Sequence, residues 1–152
     1  MTDEVRVAVA SDDDMVPARA EARALATRLG FSRTDATLIA TAISEIARNI
    51  VVHARHGEIV MRPRFEDDRY GLVVVACDAG PGIRDVGAVL DSAASTRGGL
   101  GLGLPGVRRL MDEFAIESQP GHGTTVTMVK WRPRDELERL RDLRRTRNGN
   151  GT

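Results

Sequence analysis

The sequence predicts an α/β fold, a two-layer sandwich in which a mixed, mainly antiparallel sheet is covered by helices on one face. Helical and strand patterns are interspersed along the chain instead of being segregated into two halves. Neighbouring strand patterns are joined by short turns, as in β-hairpins. With 152 residues, of which 41% are hydrophobic, the chain is large enough to bury one substantial core.

The first strand and the first helix are predicted from periodicity. The segment "VRVAVA", from Val5 to Ala10, alternates apolar residues with others, which is typical of a half-buried strand. Pro17 begins a stretch with apolar residues at helical spacing, and Gly30 follows it, where a helix commonly ends. The residues at that spacing are Ala18, Ala22, Leu25, Ala26 and Leu29.

A longer helix is predicted next. Ser32 or Thr34 is suited to cap its N-terminus, and the helical pattern continues to about His53. Isoleucines at positions i, i+4, i+7 and i+11 predict the side of this helix that faces the core. They are Ile39, Ile43, Ile46 and Ile50.

Two hairpins, with two helices between them, account for the rest of the predicted domain. After Gly57, "EIVMRP" and "YGLVVVACD" are typical of strands, and "EDDR" between them is typical of a turn. Residues 78–98 are predicted to be largely irregular, with a short helix from Asp85 to Leu90. Pro105 suits the first turn of a helix that continues through "GVRRLMDEF". The segments "AIESQ", "PGHG" and "TTVTMVKW" predict the last hairpin.

The C-terminal segment differs in composition from the rest. Residues 132–152 contain seven Arg against four acidic residues and end in "NGNGT". A thin seam of leucines predicts a charged helix that gives way to disorder. The sequence therefore predicts a domain at residues 1–131 and an Arg-rich tail at 132–152.

Composition argues against several classes of partner. Lys and Arg total 22, as do Asp and Glu, so no net charge attracts nucleic acid or an anionic membrane. Aromatic residues, at 3%, are too scarce to stack many bases of a single strand. No apolar run approaches the roughly 20 residues that span a bilayer, and the acidic N-terminus does not resemble a signal peptide. We therefore expect a cytoplasmic protein that binds neither nucleic acid nor membrane.

A glycine-rich loop occurs in "STRGGLGLGLPGV", where Gly101 to Gly106 match the dinucleotide-binding pattern G-x-G-x-x-G. That pattern requires a strand directly before it and an acidic residue about 20 positions later, and this sequence predicts neither. Glycines ahead of a helix that begins near Leu104 suit a phosphate cradle and also suit a plain turn. The loop by itself leaves both interpretations open.

Three other segments carry candidate site residues. "SEIARN" places Glu45 and Asn49 four residues apart, on one face of the long helix. "CDAGPGI" places Asp78 at the end of a strand, where its carboxylate can accept a hydrogen bond from the amino group of a flat ligand. "PGHGTTV" places Thr124 at the start of the last strand. Taken singly, each segment has a structural explanation, as a surface pair on a helix or as favoured turn residues.

Taken together and in this order, the segments resemble the four boxes of the GHKL ATPases. E-x-x-x-N is similar to the first box, D-x-G-x-G to the second, the glycine-rich loop to the third and G-x-G-T to the fourth, over residues 39–129. The resemblance implies the Bergerat ATP-binding fold. The segments "TAISEIARNIVVHA", "DAGPGI", "STRGGLGLGLPGVRRLMDEF" and "GTTVTMVKW" are similar to the small serine/threonine switch kinases of bacterial stressosomes, a group within the anti-sigma regulatory kinases.

The resemblance implies a role for each matching position. Glu45 is the expected general base, and Asn49 is the expected ligand of Mg²⁺. Asp78 is expected to hold the adenine amino group with support from Thr124, and Arg97 to contact the γ-phosphate. Glycines are expected to let the backbone pass beneath the nucleotide and wrap its phosphates. The further expected ATP-binding positions are Gly80, Gly82, Gly99, Gly101, Leu102 and Gly103.

The same resemblance implies the cofactors ATP and Mg²⁺ and two protein partners. The expected substrate is a serine or threonine on a STAS-domain antagonist protein of the stressosome, similar to RsbS or RsbR. The released kinase is expected to activate a PP2C-type phosphatase. Two alternatives stay open: an anti-sigma factor kinase that sequesters a sigma factor, and a non-catalytic regulatory module that uses ATP only as a conformational ligand.

Two further interpretations concern single residue types. His53, His56 and His122 lack metal-ligand spacing, so we interpret them as histidines of a helix end or of the surface. Cys77 precedes Asp78 in a predicted buried strand, so we expect it to be a small core residue.

Overall fold

The computed structural model describes residues 4–91, 103–133 and 143–144. Strands and helices are interspersed along these residues as the sequence predicts, apart from the corrections given below. The bounds are β1 Val5–Val9, α1 Met15–Arg28, α2 Arg33–Ala54, β2 Gly57–Glu66, β3 Arg69–Asp78, α3 Val86–Asp91, α4 Gly103–Leu110, β4 Glu113–Ser118 and β5 Thr124–Trp131.

The strands form one five-stranded sheet in the order β1-β2-β3-β5-β4. Each neighbouring pair is antiparallel, so the described sheet is antiparallel throughout. Asp67 and Asp68 join β2 to β3 with φ values of 52° and 60°. Positive φ at both central residues matches the twist of a two-residue hairpin, which confirms the predicted turn.

Helix α2 lies at the centre of the fold because its sequence specifies both its start and its buried side. Of the two candidate caps, Ser32 is used, and its hydroxyl accepts a hydrogen bond from the backbone N–H of Asp35 at 3.1 Å. The isoleucine stripe is buried as predicted, with every member at most 2% exposed. Its members are Ile39, Ile43, Ile46 and Ile50.

The helices cover one face of the sheet. Along β3, Leu72, Val74 and Ala76 belong to the main core that the helices share. The alternate residue Val73 belongs to a smaller cluster formed by strand residues alone, in which Trp131 lies beneath the guanidinium of Arg69 at 3.9 Å from the ring centroid. This division by alternate residues confirms the predicted two-layer architecture.

The expectation that Cys77 is a core residue is wrong. Cys77 is exposed, whereas its neighbour Ala76 is buried. Successive residues of a strand point to opposite faces, so the burial of Ala76 against the helices places Cys77 on the other face. There the Thr125 hydroxyl donates to its Sγ at 3.6 Å.

The prediction that the fourth helix continues through "GVRRLMDEF" is also wrong in its C-terminal part. Helix α4 ends at Leu110, and β4 begins at Glu113. The backbone N–H of Asp112 donates to the carbonyl of Val129 at 2.9 Å, and the Asp112 carboxylate accepts from the N–H of Trp131 at 2.7 Å. Pairing with β5 thus takes the backbone groups that a further helical turn would use.

The predicted boundary between the domain and the Arg-rich tail lies at residue 131. Strand β5 ends at Trp131, but most of residues 132–152 lie outside the described residues, so the division at residue 131 stays a prediction. Within that segment, Leu143 and Arg144 are helical and exposed. Among the described helices, none combines the length and the apolar character needed to cross a bilayer.

Candidate functional site

A cleft of about 490 Å³ opens where the ends of β3 and β5 face α2, α3 and α4. Its volume lies within the range of small-molecule sites. The cleft brings together residues from all four sequence segments that carry the resemblance. The lining residues are Asn49, His53, Asp78, Pro81, Gly82, Ile83, Ala88, Val89, Gly103, Leu104 and Thr124.

Asp78 and Thr124 form one polar end of the cleft. They are direct partners in the β3–β5 ladder, so the sheet register sets the two side chains side by side. The backbone N–H of Gly80 donates to Asp78 Oδ1 at 2.9 Å, which fixes the carboxylate and leaves its other oxygen for a ligand donor. Asp78 therefore ends β3 and Thr124 begins β5, as the sequence predicts, and their expected contacts with adenine stay predictions.

Ser118 holds Thr124 and the loop after β3 together. Its hydroxyl accepts from the backbone N–H of Ile83 at 2.7 Å and donates to the carbonyl of Gly123 at 3.1 Å. Since that proton is used, the contact between Ser118 Oγ and Thr124 Oγ1 at 2.8 Å has Thr124 as its donor. The buried Thr124 hydroxyl, 7% exposed, thereby presents lone pairs to the cleft.

Two glycines allow the loops around the cleft to touch. Gly82 has φ of +79°, and a β-carbon there would overlap the backbone carbonyl of Gln119. Gly123 has φ of +78°, and a β-carbon there would overlap the backbone carbonyl of Asp78. Both positions combine a left-handed conformation with backbone contact, so a side chain at either would push the loops apart.

Gly80 has a different environment from the one expected beneath a nucleotide. It does not line the cleft, and a β-carbon there would lie 2.6 Å from the β-carbon of Ala54. Gly80 therefore lets the loop after β3 pack against the C-terminal end of α2. Its expected contact with ATP stays a prediction.

Helix α2 supplies the other polar wall. Asn49 lines the cleft, and Glu45 lies one turn before it, half-buried but outside the lining. His53 lies one turn after Asn49 and lines the cleft while remaining exposed. The interpretation of His53 as a helix-end or surface residue does not include a place in the site. The spacing i, i+4, i+8 from Glu45 is the sequence signal for that place.

The floor of the cleft is apolar. Ile83 and Val89 are partly buried against the main core, and Leu104, 4% exposed, belongs to it. Asp85 accepts from the backbone N–H of Ala88 at 3.0 Å, which caps α3 and holds this wall in place. An apolar floor beside a carboxylate and a hydroxyl suits a flat ring that carries hydrogen-bond donors.

The glycine-rich loop is only partly described. Gly103 is the first residue of α4, with φ of +62°, and lines the cleft. Arg97, Gly99, Gly101 and Leu102 lie outside the described residues, so their expected phosphate contacts stay predictions. Among the described residues, the element that precedes α4 is helix α3 and not the strand that a dinucleotide-binding unit places there.

The metal chemistry of the site rests on one amide. In residues 4–91, 103–133 and 143–144, no three His, Cys, Asp or Glu side chains cluster in a way that could hold a metal ion. Asn49 lines the cleft, and its side-chain amide has one oxygen that is able to ligate a cation. Mg²⁺ commonly takes one or two protein oxygens and completes its shell with phosphates and water, so this donor set fits it.

Comparisons with known proteins agree with the geometry. The family model described as the histidine kinase-like ATPase domain matches residues 8–130. The chain is 45% identical over 131 residues to serine/threonine-protein kinase RsbT of Bacillus subtilis (strain 168), across 86% of this chain and 98% of that protein. It is 33% identical over 120 residues to an anti-sigma F factor of Caldanaerobacter subterraneus subsp. tengcongensis, across 75% of this chain and 82% of that protein.

A solved structure with the same fold contains the RsbU and RsbW domains of Rv1364c from Mycobacterium tuberculosis. The TM-score is 0.58 and the identity 23%, and the match covers 86% of this chain and 32% of that one. The chain thus spans about a third of the length of that structure. At this identity the likeness shows the fold alone, and it confirms the α/β architecture.

Proposed function

Because the chain belongs to the histidine kinase-like ATPase domain family, we propose that it is an ATP-dependent serine/threonine protein kinase of a partner-switching pathway. The observation that carries the proposal is the meeting of Asn49, Asp78 and Thr124 in one cleft with an apolar floor. In the proposal, Asp78 and Thr124 recognise one end of the nucleotide, and Asn49 helps to hold its phosphates.

Adenine lies at the Asp78 end in this proposal. The free oxygen of Asp78 accepts a hydrogen bond from the exocyclic amino group, and Thr124 accepts a second one directly or through water. Support comes from the contacts around both groups, since Gly80 and Ser118 fix them before a ligand arrives. Such preorganisation lowers the cost of binding because few side-chain rotamers remain to be ordered.

The phosphates lie toward Asn49 and the start of α4. Asn49 would hold Mg²⁺, which neutralises phosphate charge when bound. The N-terminus of α4 at Gly103 adds backbone N–H donors and the positive end of a helix dipole. Arg97, Gly99, Gly101 and Leu102 complete the phosphate contacts in the proposal, with Gly82 beneath the nucleotide.

Glu45 is the proposed general base. Its carboxylate takes the proton of a serine or threonine hydroxyl, whose oxygen bonds to the γ-phosphorus as the bond to the β–γ bridging oxygen breaks and ADP leaves. Support comes from position: Glu45 lies one helical turn, about 6 Å along the axis, from Asn49 on the same face. Phosphoryl transfer depends mainly on positioning and charge neutralisation, so one carboxylate is sufficient.

The acceptor in the proposal is a STAS-domain antagonist protein of a stressosome-type pathway. Phosphorylation adds about two negative charges to that protein and ends its hold on the kinase. The released kinase then binds and activates a PP2C-type phosphatase in the cytoplasm. Similarity to RsbT along nearly its whole length supports this scheme.

A second candidate function is an anti-sigma factor that also phosphorylates its antagonist. The match to anti-sigma F factors favours it, although that match is lower in identity and in coverage than the match to RsbT. Binding of core sigma factors to the purified chain distinguishes the two candidates. If the chain is a kinase of the stressosome type, we expect it to bind none of these sigma factors.

Transfer of radiolabelled γ-phosphate from ATP to a STAS-domain protein tests the proposal. The wild-type chain is expected to label a serine or threonine of that protein, and Glu45→Ala is expected to bind ATP while labelling falls by at least about 10³-fold. Glu58→Ala, which changes an exposed glutamate of β2, is the matched control and retains activity. Full transfer by Glu45→Ala would remove Glu45 from the mechanism, and absence of transfer by the wild type would reject the kinase.

A further inference from the structure

Two aromatic side chains are exposed at the end of the sheet opposite the cleft. Phe65 and Tyr70 are partners in the β2–β3 ladder, and their ring centroids lie 4.7 Å apart. Phe65 is 60% exposed and Tyr70 is 47% exposed, whereas the two other phenylalanines of the chain contact the main core. Strand β3 runs from this pair to Asp78, so about 27 Å separates Tyr70 from the carboxylate end of the cleft.

The turn beside this pair is acidic. Glu66, Asp67 and Asp68 are consecutive and exposed. Glu66 forms an ion pair with Arg64, and within the described residues Asp67 forms none. We call the two rings together with turn residues 66–68 the hairpin patch. It combines exposed apolar surface with negative charge, so it suits an occupant that has apolar and cationic side chains.

The chain leaves β5 directly beside Tyr70. The backbone N–H of Arg132 donates to the Tyr70 carbonyl at 2.7 Å, and the Arg132 guanidinium lies 5.0 Å from the centroid of the Tyr70 ring. Arg132 Nη1 also donates to the carbonyl of Leu29, the C-cap residue of α1, at 3.3 Å. These contacts fix the point from which the Arg-rich tail starts. A segment attached here has an effective concentration in the millimolar range at the hairpin patch, so a weak contact is sufficient to hold it there.

The sequence of the Arg-rich tail complements the hairpin patch. It contains seven Arg against four acidic residues, and its leucines are Leu137, Leu140 and Leu143. In the charged helix that the sequence predicts, starting at Pro133, Leu137 and Leu140 lie about 6 and 11 Å along the axis, which is within reach of both rings. Each three-residue step turns by about 60°, so Leu143 lies about 120° from Leu137. Leu143 is 63% exposed, which agrees with a contact made by the first two leucines alone.

We propose that the Arg-rich tail binds the hairpin patch of its own chain. Leu137 and Leu140 pack against the rings of Phe65 and Tyr70, and arginines of the tail lie beside the acidic turn. The contact removes the aromatic pair from solvent and makes the patch an intramolecular docking site for a segment rich in arginine and leucine. It does not depend on the proposed kinase function, because the contacts that support it lie at the opposite end of the sheet from the cleft.

Limited digestion of the full chain with trypsin tests the docking site, because cleavage of a bound segment tracks the population of its open form. The measured quantity is the rate of cleavage after Arg139, followed by mass spectrometry. Phe65→Thr keeps a residue that favours strands but removes the ring, and it is expected to raise this rate by about tenfold. Val16→Thr is the matched control, because Val16 is also 60% exposed but lies on α1, and it is expected to leave the rate unchanged.

Removal of charge from the turn gives a second, smaller effect. Asp67→Asn keeps a residue that tolerates the φ of 52° at this position and removes its negative charge. The cleavage rate is expected to rise by about twofold to threefold at low salt, and by less at high salt. Asp13→Asn, at an exposed aspartate before α1, is the control and is expected to be cleaved as the wild type is.

Two outcomes would overturn the intramolecular docking site. The first is an equal cleavage rate in the wild type and in Phe65→Thr. The second is protection from trypsin that increases with the concentration of the chain, because the tail of a second copy would then be the occupant. The Kd for ATP is expected to be the same in Phe65→Thr as in the wild type, so a failure of the kinase proposal in the transfer assay leaves the digestion result unaffected.

Discussion

The candidate nucleotide cleft and the α1–α2 groove, a hollow between α1 and α2 lined by Arg19, Arg23, Arg28 and Thr41 among others, both use helix α2. They differ in almost every other respect. The cleft is built from four segments far apart in the chain and carries a carboxylate, an amide and a hydroxyl over an apolar floor. The groove is built from two consecutive helices and carries three arginines over alanines. The groove is the larger of the two, so the chemistry of the lining, and not volume, marks the cleft as the candidate nucleotide site.

The two regions also differ in how they are held. Side-chain and backbone hydrogen bonds from Ser118 and Gly80 fix the cleft before a ligand binds. The arginines of the groove lie on exposed positions of α1. A change in the cleft should therefore alter stability or nucleotide affinity, and the following predictions test how the contacts that hold the cleft contribute to each.

The largest effect is expected from Gly123→Ala. The added β-carbon meets the Asp78 carbonyl in a left-handed conformation, so we expect a loss of about 3 kcal/mol in the free energy of unfolding. Gly121→Ala is the matched control, because Gly121 has φ of +80° with nothing within 4 Å of its β-carbon position, and it should cost about 1 kcal/mol. Urea denaturation of both variants measures the difference, and equal losses would contradict the close packing at Gly123.

The next effect concerns Asp78→Asn. The new amide keeps an oxygen for the Gly80 N–H but turns a donor toward the adenine amino group, so we expect about 2 kcal/mol, or about thirtyfold, weaker ATP binding. Asp13→Asn at an exposed aspartate is the control. Calorimetric titration with ATP measures the Kd of both variants. Unchanged affinity in Asp78→Asn would remove the adenine assignment.

A smaller effect is expected from Ser118→Ala. Loss of this hydroxyl leaves the Ile83 N–H and the Gly123 carbonyl without their partner and frees Thr124 to rotate. We expect ATP affinity to fall about fivefold, equivalent to about 1 kcal/mol. Thr37→Ala, which removes an exposed helix hydroxyl, serves as the control. An unaffected ATP Kd in Ser118→Ala would show that Thr124 does not need this support.

The smallest effect is expected from His53→Leu. His53 lines the cleft but is exposed, so one solvated contact with the nucleotide is worth about 0.5 kcal/mol, or about twofold to threefold in affinity. His56→Leu, at an exposed histidine outside the cleft, should leave affinity unchanged. Equal affinities of the two variants for ATP would place the nucleotide away from His53.

Much of the fold follows from local patterns. The isoleucine stripe of α2 and the Ser32 cap depend on residues within one helix, and the turn at Asp67 and Asp68 depends on its own neighbours. The end of α4, in contrast, does not follow from local patterns. Asp112 pairs with β5 residues 17 and 19 positions away, and only the assembled sheet reveals that competition.

The candidate site likewise contains residues that local sequence patterns reveal and residues that only the folded structure reveals. Asp78 and Thr124 could be named from the sequence because each stands at the edge of a patterned strand. Ser118 could not be named from the sequence, because its role depends on hydrogen bonds to Ile83, 35 residues earlier, and to Gly123, in a turn that forms only in the folded sheet. His53 carried a usable signal in its helical spacing from Asn49.

The central claim is that separated segments form one nucleotide pocket distinct from the groove. Titration of the ¹⁵N-labelled chain with a non-hydrolysable ATP analogue and Mg²⁺, followed by NMR, tests it most directly. The account predicts that the amide signals of Asn49, Gly82 and Thr124 shift together with a single saturating Kd while that of Arg23 stays in place. Shifts confined to one segment, or no saturable shift, would contradict it.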